Sequence, residues 1–208
     1  MSRLIDISPL LSARTAVWPG DVPLQQEFAL NMSAGDNIDL SSMQTTVHIG
    51  AHTDAPRHYQ LDGQDIASRP LALYYGPCQV IAVDVGRGER IGPQHITVPI
   101  TTERVIFKTG TFPDPDSFSE DFAACSAALI EHLASCGVRL VGIDTPSIDL
   151  FADKVLQSHN AVAGADMAIL EGVVLDEVMP GLYTLIALPL RLEGADASPV
   201  RAVLVSEA

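Results

Sequence analysis

The segment TTVHIGAHTDAPRHY, residues 45–59, carries three of the chain's six histidines, His48, His52 and His58, with Asp54 among them. Two neutral imidazoles and a carboxylate form a ligand set for a borderline divalent cation, and a carboxylate can also bridge two ions. His58 lies outside the spacing of the other three. An imidazole that both accepts and donates protons near neutral pH suits acid/base work there. Paired histidines at this interval also occur in ordinary strands, so the residues alone leave metal ligation and a metal-free surface pair both open.

These residues must be positioned by backbone. The β-branched Thr45, Thr46, Val47, Ile49 and Thr53, together with Gly50 and Pro56, disfavour a helix. Read as a strand, the segment puts His48, Gly50, His52 and Asp54 on one face by alternation. Pro56 biases Ala55 to an extended conformation and turns the chain, which lets His58 reach back toward the same face. Short apolar runs elsewhere read as strands: RLIDIS, QQEFALNM, CQVIAVDVG, RVIFKTG, RLVGIDTP, LYTLIALPLRL and SPVRAVLVS. One helix is signalled by capping-box spacing at Ser117 and Glu120. Phe122, Ser126, Leu129 and Leu133 follow at helical intervals, and Gly137 stands as the C-terminal stop. It lies between two apolar runs, which predicts a β-α-β crossover with parallel strands. A second short helix is expected around residues 158–164. No linker or repeat interrupts the chain, so the expectation is a single strand-rich α/β domain spanning residues 1–208.

Composition excludes other classes. The 208 residues are 47 % hydrophobic, enough for one sizeable core. Net charge is −14 with no basic run, a surface that repels phosphate backbones, so no nucleic-acid partner is expected. The longest apolar runs are too short to cross a bilayer. The opening MSRLIDISPLL lacks a signal-type apolar block and cleavage site, so a cytoplasmic location is expected. Cys78, Cys125 and Cys136 form no CxxC pair, which argues against a disulfide framework or thiolate zinc site. Cys125 and Cys136 fall in the helical pattern and are expected to be buried.

HIGAHTDAPRHY resembles the HxGxHxDxPxH signature of the metal-dependent cyclase-like hydrolase family, whose bacterial members include kynurenine formamidases (arylformamidases). The matching residues are His48, Gly50, His52, Asp54, Pro56 and His58. GIDTPSID (residues 142–149), SHN with His159, ILEG with Glu171, and WPGD beginning at Trp18 are similar to further family blocks in the same order. Ala51 before the second histidine resembles the formamidase branch. The resemblance implies a swivelling β/β/α fold with a mixed sheet and a few flanking helices. It also implies a binuclear site of two divalent ions, zinc foremost, with manganese or cobalt as alternatives. His48, His52 and Asp54 would hold one ion, and Asp54 would bridge to a second held by His159 and Glu171. A divalent ion lowers the pKa of its water to about 7, which supplies a hydroxide nucleophile, and His58 would move the proton.

The implied reaction is hydrolysis of N-formyl-L-kynurenine to L-kynurenine and formate in tryptophan degradation, by a homodimer acting on a small aromatic formamide. Trp18, the only tryptophan, sits in a Pro- and Gly-flanked loop and is expected to wall the substrate's aryl ring. Tyr59 is a second candidate for that wall. Two rivals remain: an isatin hydrolase-like enzyme with the same ligands, and a non-catalytic metal-binding protein. A Ser or Cys hydrolase has no positive signal, since GxSxG is absent and no cysteine adjoins a histidine.

Overall fold

The apolar runs become strands because each places β-branched or large apolar side chains on alternate faces of a pleat. The computed structural model describes residues 2–206. The strands are β1 (Arg3–Asp6), β2 (Gln25–Leu30), β3 (Leu40–Gln44), β4 (His52–Asp54), β5 (Tyr75–Ala82), β6 (Arg90–Ile91) and β7 (Arg104–Lys108), followed by β8 (Ala124–Cys125), β9 (Leu140–Ile143), β10 (Ala168–Leu170), β11 (Gly181–Ile186), β12 (Ala197–Pro199) and β13 (Val203–Ser206). The α-helices among the described residues are α1 (Ala127–Ser135) and α2 (Gln157–Gly164). None is long and apolar enough to cross a membrane.

Seven strands form one mixed sheet in the order β1-β13-β11-β5-β7-β9-β10. The pairs β5·β7, β7·β9 and β9·β10 are parallel, and the remaining pairs are antiparallel. The expected crossover is present: β7 and β9 lie parallel with α1 between them in sequence. Alternation divides the core by face. Val80, Ile106, Leu140, Ala168 and Leu170 pack in one cluster. Their neighbours Ile81, Val105, Phe107, Val141 and Ile169 pack in the other. Both helices join the second cluster through Leu129, Ile130, Leu133 and Val162. Truncating a buried leucine such as Leu129 to alanine costs about 2–5 kcal/mol.

The first helix starts later than the sequence predicts. Ser126 is its N-cap, with Oγ accepting from the Leu129 amide at 3.1 Å, whereas Ser117 and Glu120 lie outside it. Residues 122–125 are fully buried, and Ala124 and Cys125 instead pair in parallel with Arg90 and Ile91. Tertiary burial overrides the local capping signal. The stop is as expected: Gly137 takes φ +83° and donates to Ala134 O at 3.0 Å. Cys125 therefore lies on a strand rather than a helix. Cys136 is exposed at the end of α1, against expectation, while Cys78 is buried, and all three are free thiols.

The hairpin of β2 and β3 stands apart from the main sheet. Its residues are almost all exposed, including Phe28, Leu40 and Met43.

Candidate metal centre

The sequence-predicted ligands converge where the parallel strands end. Glu171 directly follows β10, residues 144–149 follow β9, and β4 lies beside Glu171. The His52 and Glu171 backbones exchange two hydrogen bonds, at 3.1 and 2.9 Å. Ligand sites in open α/β sheets favour the carboxyl ends of the strands.

His48 does not share a strand with His52 and Asp54. β4 contains only His52, Thr53 and Asp54, and His48 sits in a preceding turn. The break is at Gly50, with φ +56°, where a Cβ would meet Leu11 Cδ2 at 2.6 Å. Glycine allows this left-handed backbone and the close approach of residues 9–11. The turn still delivers His48: its ring lies 5.0 Å from that of His52. Ala55 is extended before Pro56, as the sequence predicts, and a 3₁₀ turn over Pro56–His58 brings the His58 ring within 4.3 Å of the His48 ring.

His48 Nδ1 stands 3.1 Å from Asp54 Oδ1, and His159 Nε2 stands 3.4 Å from Asp54 Oδ2. His52 Nε2 is 3.5 Å from Asp54 Oδ1 and 3.1 Å from Glu171 Oε2. Asp54 is shared by two groups of potential ligand atoms, each gathered within 4.8 Å: His48, Asp54 and His58, and His52, Asp54 and Glu171. His48 and His52 both face Asp54 Oδ1, while His159 faces Oδ2 and stands 3.8 Å from Glu171 Oε1; backbone pairing sets His52 beside Glu171 as well, whereas His48 comes from the turn.

The site fits a cation. Asp54 is buried, and neither carboxylate oxygen has a hydrogen-bond partner. A buried carboxylate without donors is unfavourable by several kcal/mol. Burial would raise its pKa, yet the imidazoles of His159 and His48 hold it well below the usual carboxylate range. Burial would depress His48, but Asp54 and Asp196 raise it to about 10. Burial likewise opposes His159, which Asp149 and Asp54 raise to about 10.

Outer contacts orient the rings, as metal-binding histidines require. His52 Nδ1 donates to Gly50 O at 2.9 Å. Asp149 Oδ2 accepts from His159 Nδ1 at 2.8 Å and from the Ser158 and His159 amides at the start of α2, each at 3.0 Å. Arg90 also binds Asp149, at 2.8 Å. Glu171 Oε1 accepts from the Ile148 amide at 2.7 Å. Gly172 takes φ +66° where a Cβ would fall 2.2 Å from Gly50 O. Only glycine lets Glu171 and His52 lie this close. Sequence reasoning missed Asp149 and Asp196 as site residues. Asp149 was visible only inside the block 142–149, and nothing near Asp196 pointed to the histidines.

A cavity of about 560 Å³ opens over this group, a size suited to a small molecule. His48, His52, His58, His159 and Glu171 line it together with Val17, Trp18, Phe112, Phe118 and Leu156. Trp18 is half-buried, with its ring 4.9 Å from Phe151 and 5.5 Å from Phe118. Tyr59 does not join this wall; its ring packs against His159 at 5.2 Å, behind the ligands. Burial, together with the charge of Asp54, pushes its phenol up, so it stays neutral.

Several solved structures share the whole fold. One titled "Potential Metal-Dependent Hydrolase With Cyclase Activity" is 26 % identical with TM-score 0.85, and both chains are covered completely. A "predicted metal-dependent hydrolase" from Bacillus stearothermophilus is 27 % identical with TM-score 0.84, again with complete coverage of both. Isatin hydrolase A from Labrenzia aggregata, bound to benzyl benzoate, is 19 % identical with TM-score 0.84 over all of this chain and 94 % of that one, a likeness of fold. A family model named Cyclase, described as "Putative cyclase", matches residues 5–150. That span reaches from β1 through Asp149, well over half of the sequence, and includes four of the six gathered His, Asp and Glu side chains: the chain belongs to the Cyclase family.

Proposed function

We propose that this protein is a metal-dependent amidohydrolase that cleaves N-formyl-L-kynurenine to L-kynurenine and formate. The observation that carries the reading is Asp54, whose two buried, donor-free oxygens are shared by two groups of potential ligands, with His48, His52, His58 and Glu171 of those groups lining an aromatic-walled cavity. His48, His52, Asp54, His159 and Glu171 would hold two divalent ions, zinc foremost. When bound, such ions activate a water molecule and polarise the substrate carbonyl. Trp18 and Phe118 would hold the aryl ring and exclude water from it. His58, whose side chain is 35 % exposed against 1 % for Asp54, stands at the solvent side of the group. It would take the proton from the attacking water and deliver it to the aniline nitrogen as the C–N bond breaks.

The aromatic wall suits a cyclic aryl amide as well, and proteins of this fold include isatin hydrolases. Hydrolysis of N-formyl-L-kynurenine and of isatin is therefore measured side by side, with and without chelator. Chelator-sensitive turnover that favours the formamide supports the reading. Faster opening of isatin replaces the substrate, and inactivity of fully metallated protein on both removes the enzyme. The exposed apolar face of the β2–β3 hairpin supports a homodimer, which sedimentation velocity tests directly.

A further inference from the structure

Asp196 is the residue just before β12, and the antiparallel pairing of β12 with β4 sets Ala197 opposite Asp54. The Asp196 carbonyl accepts from the Ala55 amide at 2.8 Å, which pins its backbone beside the ligands. Its side chain faces the cavity. One oxygen, Oδ2, lies 3.0 Å from His48 Nε2 and 3.3 Å from His58 Nδ1. A carboxylate only accepts, so each of those nitrogens carries a proton when it bonds there. That leaves the lone pair of neutral His48 on Nδ1, the atom 3.1 Å from Asp54 Oδ1. Two acceptors at that separation need a proton or a metal ion between them, so when His48 is neutral Nδ1 is the atom free to ligate. The lone pair of neutral His58 is left on Nε2.

We propose that Asp196 is the positioning residue of the site, fixing by one shared oxygen the orientation and tautomer of both His48 and His58. His48 is held to present Nδ1 as a metal ligand. His58 is held to present Nε2 as the group that moves the proton. One side chain thus ties the ligand group to the acid/base group, and the β4·β12 register sets their relative position. The inference rests on the hydrolase reading for its effect on rate alone, because tautomers are read without turnover.

The test uses the zinc-loaded protein with ¹⁵N-labelled histidine, whose two-bond proton–nitrogen correlations distinguish the tautomers at alkaline pH. The expected wild-type pattern is Nε2–H at His48 and Nδ1–H at His58. Asp196→Ala should convert His58 to a mixture, weaken zinc binding in a chelator competition by roughly 10-fold, and lower kcat roughly 10- to 100-fold. KM should stay within about twofold, since no substrate contact is removed. Asp196→Asn keeps an acceptor of the same shape and should recover part of each loss, and it serves as the test if the alanine variant does not fold. An Nε2–H tautomer at His58 in the wild type, or tautomers and zinc affinity unchanged in both variants, overturns the proposal. If the wild type hydrolyses neither aryl amide, the functional reading fails, while the tautomers and zinc affinity still decide the role of Asp196.

Discussion

Asp149 Oδ2 accepts from His159 Nδ1 at 2.8 Å, and the same carboxylate caps the helix that carries His159. Position and orientation of this imidazole therefore depend on one side chain. Against burial, the His159 imidazole first, then the His159 amide, Arg90 and the Ser158 amide hold Asp149 below the usual carboxylate range, so it stays an acceptor. Asp149→Ala should weaken metal affinity roughly 10- to 100-fold. It should also destabilise the protein by about 1–3 kcal/mol, because the α2 amides and Arg90 lose a buried acceptor while Arg90 keeps Asp153. Chelator competition and denaturant melts measure the two effects, and an unchanged metal affinity would count against Asp149 as the orienting group.

Metal binding should release protons. In the metal-free protein His48 and His159 are raised to about 10, above the ordinary 6.5, and both must be neutral to ligate. Since the folded value lies above the unfolded one, their contribution to metal-free stability is full below about 6.5 and lost as pH rises through about 10. Metal affinity should climb over the same window. Calorimetric zinc titrations in buffers of different ionisation enthalpy should show release of about two protons at pH 7. Binding without proton release would mean that these rings are already neutral.

His58→Ala should lower kcat by roughly 10²- to 10⁴-fold and leave zinc content unchanged. The structure makes this a sharp test, because His58 also groups with His48 and Asp54 closely enough to be a ligand. Zinc lost in proportion to activity would make His58 a ligand instead.

Trp18→Ala should raise KM for aryl amides roughly 10-fold and barely affect formamides without a ring. The ring lines the cavity alongside Phe118 and packs against Phe151 at 4.9 Å. Equal losses on both substrate types would assign Trp18 to packing alone.

Much of the framework was legible along the chain. The strands follow from local apolar alternation, and α2 falls within a residue of its expected start. Pro56 fixes Ala55 by steric contact between neighbours, and the stop at Gly137 needs only its own backbone freedom. The start of α1 was not legible, because the capping-box spacing at Ser117 and Glu120 points to an earlier start and burial of Phe122 through Cys125 overrides it.

The sequence by itself determined which residues could do the chemistry: His48, His52, Asp54 and His58 in one segment, with His159, Glu171 and Trp18 found through family resemblance. Tertiary structure alone decided how they are grouped. Backbone pairing puts His52 with Glu171, the left-handed Gly50 takes His48 off the strand, and the β4·β12 register brings in Asp196 from more than a hundred residues away. The physical reason is one of range. Alternation, capping and proline sterics act between near neighbours and leave a pattern in the sequence, whereas a single carboxylate held against two imidazoles by sheet register leaves none.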